Sequence, residues 1–580
     1  MKQQPQPSQP DPVIGLKCAP PHPPVNEINP FTFLLLSPEL TNQLSVLDDR
    51  YTGIFNTTLT ATFFNHSPRQ PVSQQPIPVH VHDVQSAPAD LVIPISARQS
   101  TNTSHWVSSF TLPGQRAVNT LPAGSIPLNT RRAVFSVSAN GQASEEFWWS
   151  AVPQSDVYTF NETAGPLTGW SPFREVQVLI DGQLAGVQWP FPVIFTGGVV
   201  PSLHRPVAGV DAFDLKEGEV DITPFLGRLC DGGEHTFEVR VVGLDDTSGG
   251  EPRLTETVGE NWVVTGKIFV WVSDEDGEEG DSDADGVKTT TGDRDVRVDA
   301  GGRDPQVINV SRRVTQSRDN NGTTLNETLV YETVVRRELR ISAKVKVSGG
   351  AEKEVTWTQS LSYSNKGEIT AFGFDQVNDM LISGHDSATT SGDNGPYYET
   401  NYNYPLYVNS TYTQSELGNL TIVGHVIQRK EVERSGQGVF PSGLEAFSPS
   451  RGGKFIRSAL VTRKEGTARF DQTGDGRSSS GFGTTTQSFR LRGDSLPYPE
   501  AEDVFVETLY NRNVEAVNGT ITSDVKTVFG PYLAQEMEVA ESSGAAVQGG
   551  QVFAEVHKGD INQMKIPARM FMRRSGHIRH

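Results

Sequence analysis

The sequence predicts an all-β protein, with tandem β-sandwiches of the jelly-roll type followed by a C-terminal β domain. Short runs of alternating apolar and polar residues recur along the chain, and turns rich in glycine, proline and asparagine separate them. We find no run of about twelve residues with the 3.6-residue period of an amphipathic helix. Because 580 residues exceed what a single hydrophobic core holds together, we expect two to four domains.

Changes in composition suggest where these domains begin and end. The first thirty residues are rich in proline and glutamine and lack an apolar pattern, which is typical of disorder. An acidic run near residue 280 marks a natural boundary. We therefore predict a disordered segment at 1–30, a partial first β-sandwich at 31–130, a second β-sandwich at 131–285, a C-terminal β domain at 300–540 and a tail at 541–580.

The clearest local signal is a β-hairpin at residues 175–187. Apolar residues alternate along its first half, so they share one face of a strand. Asp181 and Gly182 follow, and Asp-Gly between two alternating runs favours a two-residue turn with positive φ angles. The sequence therefore predicts that residues 183–187 return as the partner strand.

The hairpin leads into an apolar loop, WPFPVIFTGG, at residues 189–198. Pro190 and Pro192 lack amide donors, so this segment cannot occupy a central strand. Gly197 and Gly198 permit a sharp turn or a close approach of the backbone to another group. Two interpretations remain open: the loop shapes a pocket, or it is a buried crossover that plugs the edge of a sandwich.

The same region carries a resemblance to a known family. PFPVIFTGG is followed by VDAFD at 210–214 and DITPFLG at 221–227, and the chain has YTGIFNTTLTATFF at 51–64. Together with residues 132–149, these segments resemble the peptide N-glycosidase A family of plants and fungi. The match is long and contains no generic motif, so we consider it specific.

The resemblance implies a reaction. Members of the family hydrolyse the amide that joins Asn to the first GlcNAc of an N-glycan, which leaves Asp and a glycosylamine. The amide nitrogen must be protonated to leave, so we expect carboxylates that activate water and deliver a proton. The scheme requires no cofactor and no metal. The expected partners are N-glycosylated peptides or proteins.

Glu146 is the first candidate for a catalytic carboxylate. It lies in EEFWW at 145–149, which matches the family's acidic-Glu-Phe-Trp pattern. In a strand, Glu146 and Trp148 would share a face, so the acid and a sugar platform would point together. The alternative is a solvent-facing Glu beside tryptophans of the core. Glu175 is the second catalytic candidate.

The substrate-binding candidates lie in the same matched segments, and they are Trp148, Trp149, Trp189, Arg205, Asp211 and Asp214. A structural salt bridge is the alternative role for Arg205. The two aspartates could equally cap a turn, because Asp side chains accept hydrogen bonds from the backbone a few residues on.

One departure from the family bears on activity. Upstream of the 51–64 segment, the family carries motifs resembling Arg-Gln-Tyr-Asp-Arg and Thr-Ser-Thr-Ala-Glu-Pro, and neither is present before Tyr51. We therefore expect the first sandwich to lack its opening strands, and the family's principal catalytic acid to be missing from this chain. The alternative function is that of a non-catalytic glycan-binding or cell-surface glycoprotein derived from the same family.

The net charge of −20 argues against nucleic acid or an anionic membrane surface as a partner. No run of about eighteen apolar residues predicts a membrane span, and the first residues lack the apolar core of a signal peptide. Cys18 and Cys230 are the only cysteines. They could form one disulfide or remain two free thiols.

Sequons are about twice as frequent as the composition predicts, which favours a secreted, secretory-pathway or vacuolar protein. The predicted N-glycosylation sites are Asn56, Asn65, Asn102, Asn161, Asn309, Asn321, Asn326, Asn409, Asn419 and Asn518.

Overall fold

A computed structural model confirms the all-β prediction. It describes residues 89–96, 110–112, 116–194, 197–203, 217–247, 251–259, 262–273, 289–299, 304–347, 350–393, 397–436, 456–493, 507–530 and 533–538. The predicted disordered segment, the segment at 51–64, the tail and Cys18 lie outside these residues.

The N-terminal half of the described chain contains ten strands and a few short helical turns. The strands are β1 (Leu91–Pro94), β2 (Phe110–Leu112), β3 (Val118–Leu121), β4 (Thr130–Gly141), β5 (Glu175–Ile180), β6 (Gln183–Gln188), β7 (Gly218–Asp221), β8 (His235–Asp245), β9 (Arg253–Thr255) and β10 (Trp262–Val272). The 3-10 helices are Ala143–Ser150, Gln154–Asp156 and Thr223–Phe225, and one α-helical turn spans Leu226–Leu229.

These strands form two five-stranded sheets that face each other. The first has the order β1-β10-β4-β7, with β2 also paired to β10, and the second has the order β3-β8-β5-β6, with β9 paired to β8. Phe135 of β4 stacks on Phe237 of β8 across the core, with ring centroids 6.2 Å apart. Each sheet contains strands from before and after residue 130. In the described part of the chain, the domain boundary predicted at residue 130 therefore does not separate one sheet from the other.

The predicted hairpin is confirmed. β5 and β6 pair in antiparallel register, and Ile180 is the partner of Gln183. The turn residues have the positive φ angles that a two-residue hairpin requires, 48° at Asp181 and 78° at Gly182.

The C-terminal half forms one sheet of thirteen strands. These strands are β11 (Thr291–Gly292), β12 (Arg297–Asp299), β13 (Val307–Arg318), β14 (Thr324–Lys346), β15 (Glu352–Thr370), β16 (Asp375–Thr390), β17 (Tyr398–Gln414), β18 (Leu420–Gly436), β19 (Ile456–Gln472), β20 (Ser479–Gly493), β21 (Glu507–Val517), β22 (Thr520–Gly530) and β23 (Leu533–Glu538). A 3-10 helix at Ala371–Gly373 joins β15 to β16.

This long sheet is an antiparallel meander from β14 to β23, and β11, β12 and β13 pair along the other edge of β14. Burial alternates along its strands, so the sheet has an inner face and an outer face. The inner face shares one hydrophobic core with the sandwich. There, Tyr363 of β15 contacts Phe173 and Trp189, with centroid distances of 5.1 and 6.4 Å.

The apolar loop after β6 is buried between the sandwich and the long sheet. Its carbonyl oxygens at Pro192 and Ile194 accept hydrogen bonds from the side chains of Gln428 and Lys464, because no strand neighbour is present to satisfy them. Val200 lies against Gly424, where a Cβ would be only 2.5 Å from the Val200 side chain. The described part of the loop is therefore a buried crossover, and its first residue also lines a cavity.

Candidate functional site

The EEFWW segment is helical, which corrects the strand geometry predicted for it. It lies in the 3-10 helix Ala143–Ser150 that follows β4. A tight turn starts this helix: a Cβ on Gly141 would lie 2.3 Å from the carbonyl oxygen of Glu145. Residues two apart do not share a face of a helix, so Glu146 and Trp148 do not point together.

The buried acid of this segment is Glu145, the neighbour of the predicted residue. Its two carboxylate oxygens accept bonds from Arg174, at 2.7 Å from Nε and 2.8 Å from Nη2. The indole of Trp262 donates at 2.6 Å, and the backbone of Gly259 donates at 2.9 Å. Burial works to raise the pKa of Glu145, but the Arg174 charge and these donors outweigh it and hold the pKa below its ordinary value. Glu145 thus anchors Arg174, whereas Glu146 is half-buried.

Trp148 and Trp149 belong to the hydrophobic core, and each is only 3% exposed. In this structure neither offers a ring face to a sugar. In a strand, Trp148 and Trp149 would point to opposite faces, so one of them would be exposed. The helix instead turns both inward, and the Phe147 ring packs edge-on against Trp149 at 6.5 Å.

The structure brings together two of the predicted site residues, Glu175 and Trp189. The Trp189 indole donates to Glu175 Oε2 at 3.0 Å, and both side chains are almost fully buried. Glu175 also accepts from Gln177 at 2.8 Å and forms an ion pair with Arg337 at 3.3 Å. These contacts make Glu175 a support beneath Trp189.

Arg205, Asp211 and Asp214 lie outside the described residues, so their predicted roles stay predictions. The chain re-enters the described part at Glu217, directly before β7.

A cavity of about 40 Å³ lies where β6 and β7, the edge strands of the two sandwich sheets, meet the inner face of the long sheet. We call it the Trp189 pocket. Its lining side chains of functional interest are Trp189, Glu217, Glu219, Asp386, Tyr398, Tyr402, Tyr404 and Arg434. Its volume accommodates water and is too small for a sugar ring.

Two carboxylates reach the pocket from the β7 side. Glu219 accepts a hydrogen bond from the Tyr398 hydroxyl at 2.8 Å and lies 3.8 Å from the Arg434 guanidinium. Glu217 forms an ion pair with Lys267 at 2.7 Å and accepts a bond from Ser136. Both acids therefore have charged or hydroxyl partners.

A third carboxylate, Asp386, reaches the pocket from β16. Burial raises its pKa to about 7, although a hydrogen bond from Gln359 at 3.0 Å and the charge of Arg434 work in the opposite direction. The same Gln359 amide bonds both the N–H and the carbonyl of Val187, so it ties the free edge of β6 to this acid. Asp386 is thus a carboxyl that keeps its proton close to neutral pH.

Aromatic side chains form the remaining wall of the pocket. Tyr402 and Tyr404 stack with centroids 5.1 Å apart, and Phe191 of the apolar loop packs edge-on against Tyr404 at 5.3 Å. The Tyr402 ring lies over Gly384, where a Cβ would be 2.1 Å from the ring. A side chain at position 384 would displace this ring.

Three tyrosines of the tyrosine-rich run at 397–407 line this pocket. Sequence reasoning missed Glu217, Glu219 and Asp386. Their only local signal is their place in alternating strands, which does not distinguish a buried acid from a solvated one.

Five sequon asparagines are exposed in the described part of the chain: Asn161, Asn309, Asn321, Asn419 and Asn518. Asn326 and Asn409 are half-buried, and Asn56, Asn65 and Asn102 lie outside it. No helix among the described residues is long and apolar enough to cross a membrane.

The described fold and pocket define the chain as an all-β protein with three acids, an arginine and aromatic rings converging at the edge of a sandwich. A family model described as "Peptide N-acetyl-beta-D-glucosaminyl asparaginase amidase A" matches residues 34–289, and one for the "PNGase_A C-terminal domain" matches residues 330–406. The chain belongs to the peptide N-glycosidase A family.

Among characterised proteins, the chain is similar to "Peptide-N4-(N-acetyl-beta-glucosaminyl)asparagine amidase A" of Prunus dulcis. The two are 26% identical over 482 residues, which cover 83% of this chain and 71% of that protein. No solved structure matches. Family and relative together support a glycoamidase of this type. Both matched regions contribute to the Trp189 pocket: Glu217 and Glu219 come from the first, and Asp386 and the tyrosines come from the second.

Proposed function

We propose that this protein hydrolyses the amide between Asn and the first GlcNAc of N-glycans on glycopeptides or glycoproteins, giving Asp and a glycosylamine, and that it works in the secretory pathway or a vacuole. The observation that carries the proposal is the convergence of three acids at the Trp189 pocket, where both family-matched regions meet. The reaction needs one group that gives a proton and one that takes a proton from water.

Asp386 is the proposed proton donor. A carboxylic acid with a pKa of about 7 is still protonated in weakly acidic solution and can protonate the departing amide nitrogen. Glu217 or Glu219 would take the proton of the attacking water. Arg434, 3.8 Å from Glu219, would offset negative charge that develops during attack.

Substrate entry would require the pocket to widen. At about 40 Å³ it holds water but no sugar, and the Tyr402–Tyr404 stack, with Phe191 packed against Tyr404, closes its aromatic side. Parting these rings would open the pocket and offer aromatic faces to the first GlcNAc. Under this proposal Glu175 acts by positioning Trp189, and Glu146 remains a second candidate acid.

The small pocket also favours a second candidate function, that of a glycan-binding protein without hydrolysis. A larger depression of about 730 Å³ lies on the outer face of the long sheet. Its polar lining includes Ser362, His385, Asn401, Asn403 and Glu431. Hydroxyl, amide and carboxylate groups of this kind can bond sugar hydroxyls.

Hydrolysis of an N-glycopeptide in ¹⁸O-labelled water tests the proposed function. An amidase converts Asn to Asp and places ¹⁸O in the new carboxyl group, and we expect this product in the peptide mass spectrum. A peptide that keeps GlcNAc on Asn would instead show cleavage between sugars and would contradict the proposal. Retention of glycopeptide on the immobilised protein with no Asp formed would support the binding function.

A further inference from the structure

A two-stranded arm extends from one edge of the long sheet. β13 pairs with β14 over the full length of β13, from Val307 opposite Arg336 to Arg318 opposite Thr324. β14 begins to pair with β15 only at Leu329, so residues 315–328 continue beyond the sheet as a hairpin. We call these residues the arm. Among the described strands, β13 has no partner on its other side, so its outer edge is open.

The arm has one face toward the sandwich and one away from it. Arg312 of β13 lies 3.0 Å from Asp156 and 3.0 Å from the Ser155 hydroxyl, which places its side chain on the inner face. Side chains alternate along a strand, so Asn309 and Ser317 point to the outer face. Ser317 is directly opposite Asn326 in the register, so Asn326 shares that outer face.

Three sequons lie on this structure. Asn309-Val-Ser is on the open edge strand, Asn326-Glu-Thr is on the outer face of the arm, and Asn321-Gly-Thr is at its tip. The tip is built by Asp319, whose carboxylate accepts bonds from the backbone of Asn321 and Thr323 at 2.8 Å each. Glycans at these positions would point away from the body of the protein.

An open edge strand on a projecting hairpin is a template for pairing with another chain. A two-stranded ribbon also gains little stability on its own in water. The arm adds apolar surface, because Leu325 is 60% exposed, and Val314 and Val330 at its base are 37% and 39% exposed. Proteins that keep such an edge soluble cover it or place obstructing groups along it.

We propose that N-glycans at Asn309, Asn321 and Asn326 cover the open edge of β13 and the outer face of the arm, and prevent pairing with a second copy of this chain. The bulky, hydrated glycan keeps a second strand from approaching within the roughly 4.8 Å that strand pairing requires. This role concerns the protein's own modification and holds whether or not the chain is an amidase.

The test begins with the full chain purified from a eukaryotic secretory host. Peptide mass spectrometry should find glycan on the three asparagines. A variant with Asn309→Gln, Asn321→Gln and Asn326→Gln should then change from monomer to dimer or larger at micromolar concentration in light scattering.

Two further variants distinguish the effect of losing the glycans from the effect of changing side chains. Ser311→Ala, Thr323→Ala and Thr328→Ala remove the same sequons and keep the asparagines, so this variant should also self-associate. A control with Asn161→Gln, Asn409→Gln and Thr520→Ala removes three sequons elsewhere and should stay monomeric. Unmodified asparagines at positions 309, 321 and 326, or a monomeric protein after their glycans are removed, would overturn the proposal.

Discussion

Replacement of Glu145 by Gln should destabilise the sandwich strongly. Four donors converge on its two carboxylate oxygens: Nε and Nη2 of Arg174, the Trp262 indole and the Gly259 amide. Gln replaces one oxygen by an NH₂ group, so two of these donors would face another donor. Arg174 is fully buried and would lose its counter-charge.

Loss of one partner of a buried ion pair costs about 3–5 kcal/mol, so we expect the free energy of unfolding to fall by that amount. Because the pKa of Glu145 is lowered in the folded protein, its stabilising contribution is present at neutral pH and is lost as the pH falls below the ordinary carboxyl range. The free energies of unfolding of the wild-type protein and the variant should therefore converge in acid.

Denaturant titration followed by tryptophan fluorescence measures this change, because Trp262 donates to Glu145 and lies in the same core as Trp148 and Trp149. Glu146→Gln is the matched control, since it makes the same substitution one residue away on a half-buried side chain. It should change the free energy of unfolding by less than about 1 kcal/mol. A loss below about 1 kcal/mol for Glu145→Gln would refute the structural role assigned to this pair.

Burial and close contact also determine how Asp386, Gly483 and Cys230 respond to pH, substitution and labelling. The folded-state pKa of Asp386 is raised from 3.8 to about 7, so its contribution of about 4 kcal/mol is present below pH 4 and lost as the pH rises through 7. Asp386→Asn should flatten the decline in melting temperature between about pH 4 and pH 7. At Gly483, a Cβ would lie 2.6 Å from the Ser202 carbonyl oxygen, so Gly483→Val should cost about 1–3 kcal/mol in a denaturation assay. Burial raises the pKa of the Cys230 thiol to about 12, so iodoacetamide at pH 8 should label it only after unfolding, as read by peptide mass spectrometry.

The parts of the fold that the sequence predicted are those with local physical causes. The β5–β6 hairpin follows from alternation and the Asp-Gly turn, and Pro190 and Pro192 correctly placed the next segment outside any strand. The strand predicted for the EEFWW segment was wrong because the conformation of this segment depends on a distant partner. Glu145 turns inward to meet Arg174, which lies 29 residues away in the chain.

The candidate site was less predictable because it is assembled from distant strands. Trp189 directly follows β6, Glu219 lies in β7, Asp386 lies in β16 and Arg434 lies in β18. Only the pairing of the long sheet and its packing against the edge strands bring these residues together, and no sequence spacing records that arrangement. Trp189 was identified through its motif, whereas Asp386 has no motif around it.

The proposed proton donor is tested most directly by comparing Asp386→Asn with Asp379→Asn in the conversion of glycopeptide Asn to Asp. Both aspartates lie in β16, but Asp386 is buried on the inner face and Asp379 is exposed on the outer face. Asp386→Asn should lower kcat by roughly 10²- to 10⁴-fold, as expected for loss of a general acid. Asp379→Asn should keep the wild-type rate. A folded Asp386→Asn variant with wild-type kcat would contradict the assignment of the chemistry to the Trp189 pocket.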